Sequence, residues 1–147
     1  MNFEEYAAKP VLAAAGIAVP KSQLATTLFD VGLAAGEIGP CVVKAQVPTG
    51  KRGKAGGIKL AASVTEARAH AENILGMEIG GHTVEKVLIE AQCNIVREFY
   101  AAILNDPEAK GPVVIFSTEG GMDIEEIAAK TSSPHKGKYP RFNTYQN

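Results

Sequence analysis

The stretch from Cys41 to Ala61, CVVKAQVPTGKRGKAGGIKLA, decides the reading of this chain. Its first seven residues are apolar and β-branched apart from Lys44 and Gln46, the pattern of a strand. Residues 48–57 then pack three cations and four glycines into ten positions. Residues 57–61 read as a second strand, so the glycine-rich segment is predicted to be a hairpin loop. Neither common phosphate loop fits it. The pattern G-x-x-x-x-G-K-[ST], started at Gly50, requires glycine where Ala55 stands, and no Ser or Thr follows a lysine in the required place. Both that loop and the G-x-G-x-x-G dinucleotide turn open a helix, whereas this loop runs into a strand.

A hairpin loop can still hold an anion. Glycines let backbone N–H groups approach phosphate closely, and neighbouring cations supply charge. Lys44 adds to the case, because an ammonium inside an apolar strand is costly unless an anion pairs with it. The alternative is a solvated face of an edge strand. Local charge favours the anion: no acidic residue falls between Glu37 and Glu66, whereas Lys44, Lys51, Arg52, Lys54 and Lys59 all do. The formal net charge of −1 argues against a general nucleic-acid binder, so a small anionic ligand is the reading.

Outward from the loop, residues 3–15 read as a helix with Phe3, Tyr6, Ala7 and Val11 on one side, blemished by Pro10 and ended by Gly16. Residues 17–20 form an extended piece, and residues 28–38 a second helix ended by Gly39-Pro40. Ser63 and Glu66 have the spacing of a capping box, which predicts a helix ending at Gly76. Beyond a turn at Gly80-Gly81 come strand candidates at 86–91, 97–104 and 113–117, with a turn at 105–107. Residues 123–130 are compatible with a short helix. The segment 132–147 is rich in Ser, Pro, Lys, Tyr and Asn without apolar period, and reads as a divergent, disordered tail.

Two other groups carry weaker signals. Glu90-Ala91-Gln92-Cys93 and the following Glu98 could read a purine edge and a ribose hydroxyl, or form a plain surface turn. Residues 117–123 (STEGGMD) look like either a site rim or a turn. His70, His82 and His135 show no metal-ligand spacing, and no Ser-His-Asp or Cys-His arrangement is visible. Cys41 and Cys93 read as buried reduced thiols, with a disulfide as the alternative. No apolar run approaches the roughly 20 residues that span a bilayer, and the acidic N-terminus lacks the basic region of a signal peptide. With 147 residues, 46% hydrophobic and 21% charged, the chain is expected to be one domain or part of a larger one, cytoplasmic, with no membrane or nucleic-acid partner.

Four segments in order, MNFEEYAAKPVLAAAGIAVP, VVKAQVPTGKRGKAGGIKLA, KVLIEAQCNIVREFYAAI and STEGGMDIEEIAAKT, resemble the N-terminal part of the succinyl-CoA synthetase β subunit. Malate–CoA ligase and citryl-CoA synthetase β chains share the pattern. The resemblance covers residues 1–131 and implies an α+β, ATP-grasp fold, with the small nucleotide-binding lobe (roughly 20–95) complete and the large lobe only begun. It implies that Lys44, Lys51, Arg52 and Gly53 hold nucleotide phosphates, and that Glu90, Cys93 (through its backbone) and Glu98 hold base and ribose. It gives no catalytic residue here.

The implied cofactor is ATP or ADP with Mg²⁺, whose ligands are expected outside this chain. The implied partner is an α subunit carrying a phosphohistidine, with CoA and a dicarboxylic acid bound only by the complete enzyme. The implied reaction is that of an ADP-forming acid–CoA ligase of the citric acid cycle. This chain alone is expected to be incomplete and inactive; the alternatives are a truncated, non-catalytic nucleotide-binding module, or the β chain of a malate–CoA or citryl-CoA ligase. The sequence departs from the family at the loop's lead-in, where Pro48-Thr49-Gly50-Lys51 replaces a common His-Ala-Gly-Gly, adding a cation.

Overall fold

The computed structural model describes residues 3–106 and 110–117. The predicted helix at 123–130, residues 118–123 of the STEGGMD segment and the tail at 132–147 lie outside the described residues. The chain divides into two compact units, residues 1–93 and 94–147.

The first unit is built on a four-stranded antiparallel sheet. Its elements follow in the order α1 (Glu5–Ala14), β1 (Ser22–Ala25), α2 (Leu28–Ile38), β2 (Cys41–Ala45), β3 (Ile58–Ala61), α3 (Val64–Ile74), β4 (Glu78–Ile79), β5 (His82–Thr83) and β6 (Val87–Ala91). The strand order is β1-β6-β2-β3, which places β2 and β6 at the centre. Alternation along β2 sends Cys41, Val43 and Ala45 to one face, where they are buried. Val87 and Ile89 of β6 and Ala25 and Ala61 of the outer strands join them there.

Helices α2 and α3 close this face with Val31, Ala34 and Ala35 and with Ala67, Ala71 and Ile74. Alanine supplies two of the three buried residues on each helix, and one contiguous core results. Both start on side-chain caps. Thr27 and Asp30 form a complete capping box at α2. At α3, Ser63 accepts from the Glu66 N–H, but the Glu66 carboxylate accepts from Ala62 rather than from the cap residue. The box expected at Ser63 is therefore only half made.

Helix α1 runs through Pro10 without stopping there. The apolar side expected of it is not buried: Phe3 and Val11 are each 64% exposed, and no residue of α1 is buried. Polar contacts tie it to the sheet instead. Glu4, the N-cap, makes no side-chain cap bond, and the buried Gln46 supplies one from outside by accepting from the Tyr6 N–H at 3.0 Å. Strand β1 is an element the sequence reading did not separate from the extended piece before it. The β4–β5 hairpin turns on Gly80 and Gly81, both at positive φ as a two-residue turn of this hand demands.

In the second unit, β7 (Tyr100–Asp106) pairs antiparallel with β8 (Gly111–Ser117), from Tyr100 opposite Ser117 to Asp106 opposite Gly111. Asn105 and Asp106, expected in the turn, are the last paired residues of β7.

Candidate functional site

The sheet face away from α2 and α3 carries Lys44 and Glu90. Antiparallel register puts Lys44 opposite Ile58 and Leu88, and Glu90 opposite Val42 and Ser22, all on this face. Lys44 and Glu90 are diagonal neighbours across β2 and β6, a spacing long side chains can bridge. The Lys44 ammonium donates to Glu90 Oε1 at 2.7 Å and to Glu5 Oε1 at 2.9 Å. The anion that a half-buried lysine demands is thus supplied by two carboxylates of the chain itself.

Glu5 also reaches the glycine-rich loop. Its Oε2 accepts from Arg52 Nη2 at 3.1 Å, while Arg52 Nη1 donates to the Ala45 carbonyl at 2.9 Å. Lys9 contacts the Glu90 carboxylate and lies 3.9 Å from Glu5. Three cations, Lys9, Lys44 and Arg52, therefore share two carboxylates, and the cluster keeps one net positive charge. Burial alone would raise the Glu5 pKa, but the hydrogen bond and charge of Lys44 and the charge and hydrogen bond of Arg52 outweigh it and hold Glu5 below its ordinary 4.5. Burial likewise disfavours the charged Lys44, and Glu90 and Glu5 together reverse that and raise it above 10.5.

The loop between β2 and β3 is closed by its own backbone. The Ala55 N–H donates to Lys51 O, Gly56 to Gly53 and Gly57 to Arg52. Gly57 has a further role, since a Cβ there would lie 2.7 Å from Ile79 Cδ1 and 3.0 Å from Ala45 Cβ. Lys51 and Gly53 are exposed at the tip, Lys51 with φ at 62°. A cavity of about 360 Å³ opens beside the loop, walled by residues 47–50, Phe3, Glu5 and Arg52.

Of the residues singled out from sequence, Lys44 and Glu90 meet directly and Arg52 joins them through Glu5. Cys93 is exposed, not buried as expected, with its Sγ 3.8 Å from the Ala91 carbonyl, whereas Cys41 is buried; both are free thiols. Glu98 is exposed and belongs to the second unit. Glu5, Lys9 and Gln46 were missed. The only local sign was the i,i+4 pair Glu5–Lys9, which reads equally well as a solvated helix face, and nothing in the sequence joins Glu5 to a residue 39 positions away. Among the described residues no group of three or more His, Cys, Asp or Glu could hold a metal ion, and no helix is long and apolar enough to cross a membrane.

A strand lysine backed by a basic glycine-rich hairpin, on an antiparallel sheet with two helices behind it, defines the class. The chain belongs to the ATP-grasp family: the pattern of the ATP-grasp domain matches residues 2–139, and the fold is the α+β N-terminal region of that family. Within it, the chain is similar to the β subunit of succinate–CoA ligase. It is 48% identical over 129 residues to the ADP-forming subunit of Halorubrum lacusprofundi, which covers 87% of this chain and 34% of that subunit. Against the GDP-forming subunit of Thermus thermophilus it is 45% identical over 149 aligned residues, covering 95% and 39%. The chain thus spans about a third of the length of the relatives it matches.

Solved structures agree on the fold. A Pyrococcus horikoshii protein superposes with a TM-score of 0.71 at 28% identity, over 86% of this chain and 55% of that one. An acetyl-coenzyme A synthetase of Ca. Korarchaeum cryptofilum, solved with coenzyme A and Ca-AMPCP, gives 0.69 at 26% identity over 79% and 53%.

Proposed function

We propose that this chain is the nucleotide-binding part of an ADP-forming acid–CoA ligase β subunit, with Lys44, Lys51, Arg52 and Gly53 holding phosphates. The observation that carries the reading is the juxtaposition of Lys44 and Arg52, one from the strand and one from the loop, beside an open cavity in a cluster of net positive charge. Its identity to succinate–CoA ligase β subunits supports the substrate class. Glu90, Cys93 through its backbone and Glu98 complete the proposed set on the base and ribose side.

In the complete enzyme ATP phosphorylates the acid by way of a phosphohistidine on an α subunit, and CoA displaces phosphate, in the cytoplasm and in the citric acid cycle. Mg²⁺ bound with the nucleotide would screen phosphate charge, with its ligands supplied from outside this chain. The chain's own contribution is positioning and electrostatics: Lys44 and Arg52 place charge, and Gly53 lets backbone N–H groups approach. The alternative reading is a module that binds nucleotide and turns nothing over.

Titration calorimetry with Mg-ADP tests the first claim. Binding in the micromolar range that weakens at least tenfold in Lys44→Ala is expected, about 1.4 kcal/mol or more. Equal affinity in the two proteins would overturn it. Adding an α subunit, CoA and succinate distinguishes enzyme from module, since acyl-CoA formation lost in Lys44→Ala excludes the inert reading.

A further inference from the structure

We propose that Glu5 is the resident anion of the phosphate site, a carboxylate on α1 that holds Lys44 and Arg52 until nucleotide phosphate takes them over and frees the helix. The inference rests on the nucleotide reading above. Its starting point is geometric: each oxygen of one carboxylate engages a different proposed phosphate ligand, Oε1 to Lys44 at 2.9 Å and Oε2 to Arg52 at 3.1 Å. A phosphate presents the same chemistry, two anionic oxygens on one centre, to the same donors. Ligand and Glu5 therefore compete for those cations.

Two further observations make Glu5 displaceable rather than a fixed support. Both cations stay anchored without it, Lys44 by Glu90 at 2.7 Å and Arg52 by the Ala45 carbonyl at 2.9 Å. The helix that carries Glu5 buries none of its residues, and charged or polar groups tie it to the sheet and the residues that flank it: Glu4 to Lys86, the Tyr6 N–H to Gln46, Lys86 over the Tyr6 ring, and Lys9 to Glu90. Glu5 also walls the cavity beside the loop, so an entering anion meets it directly. Occupancy of the loop is thereby coupled to the docking of α1, and the coupling must act in both directions.

Hydrogen exchange and calorimetry on the full 147-residue chain test this, with Mg-ADP as the probe. Glu5→Gln keeps the shape and removes the charge, and is expected to bind Mg-ADP about tenfold more tightly than the parent. In the parent chain Mg-ADP is expected to speed exchange at the amides of residues 6–9 and 11–14, and ligand-free Glu5→Gln to show that faster exchange already. Weaker binding by Glu5→Gln, or α1 amides that slow or hold steady when nucleotide binds the parent, would overturn the proposal. Failure of the underlying reading looks different. Affinity unaffected by Lys44→Ala, or no binding in any form, removes the nucleotide site and this inference with it, whereas Lys44-dependent binding that ignores Glu5→Gln removes only the competition.

Discussion

Lys44 donates a 2.7 Å hydrogen bond to Glu90 diagonally across the two central strands, with the side chains only 18% and 8% exposed. A pair this sheltered is costly to break one partner at a time, because the survivor keeps its desolvation and loses its compensation. Glu90→Ala strips Lys44 of one carboxylate and Lys9 of its nearest, and a loss of about 1–3 kcal/mol in urea unfolding is expected. Lys44→Ala with Glu90→Ala together should lose less than the two singles added. Strict additivity would show that the pair is uncoupled.

The same cluster fixes a pH dependence. Glu5 is held below its ordinary 4.5, so its contribution is present above that value and is lost as pH falls through the lower, folded pKa. Lys44 is raised above 10.5, so its contribution is intact below that value and is lost as pH rises through the higher, folded pKa. Stability should therefore hold on a plateau between those two ordinary values and fall outside it. In Glu5→Gln the acid limb should flatten, which urea midpoints measured from pH 3 to pH 7 would reveal (pH range about that of carboxylate titration). An acid limb of unchanged slope would show that Glu5 does not carry it.

What was legible in the sequence is what depends on neighbours along the chain. Helix 28–38 was read with the bounds observed, because its glycine stop and apolar spacing are local signals. The β2–loop–β3 hairpin was legible for the same reason, as β-branched alternation broken by glycines. The complete capping box at Thr27–Asp30 does not stand out in the sequence, since an aspartate at the third position is a weaker sign than the glutamate at Glu66. Strand β1 escaped because Ser22 and Gln23 give it no apolar alternation. Half of the site was out of reach altogether. Lys44 announced a need for an anion, but only the fold could say that Glu5 and Glu90 meet it, from 39 and 46 residues away.

At the loop tip, Lys51 holds φ at 62°. For an L-residue this left-handed conformation costs roughly 1–2 kcal/mol, and glycine adopts it freely. Backbone and charge can therefore be separated by two substitutions. Lys51→Ala keeps the strain and loses the cation, while Lys51→Gly loses both. Thermal melts should place Lys51→Gly above Lys51→Ala, and calorimetry should show both weakened toward Mg-ADP by a similar factor. Two variants with parental affinity would take Lys51 out of the phosphate set.

Gly53 and Gly57 make opposite predictions four residues apart. A Cβ at Gly57 would press on Ile79 Cδ1 at 2.7 Å, Ala45 Cβ at 3.0 Å and the Arg52 carbonyl at 3.2 Å. The site is buried, and two of those three neighbours belong to the core, so the added methyl group has nowhere to go. Gly57→Ala should cost about 1–3 kcal/mol by overpacking, and because Gly57 bonds to both Ala45 and Arg52 it should disturb the Arg52 anchor as well. At Gly53 a Cβ would meet only Ile58 Cδ1, at an ordinary 3.9 Å, and the residue is exposed. Gly53→Ala should therefore leave the melting temperature within about a degree of the parent, a change under ~0.5 kcal/mol. If the Gly53 backbone touches phosphate, as proposed, the same methyl group stands between the backbone N–H and the ligand, and Mg-ADP affinity should fall although stability does not. A stable Gly53→Ala with full affinity would place the phosphates elsewhere on the loop.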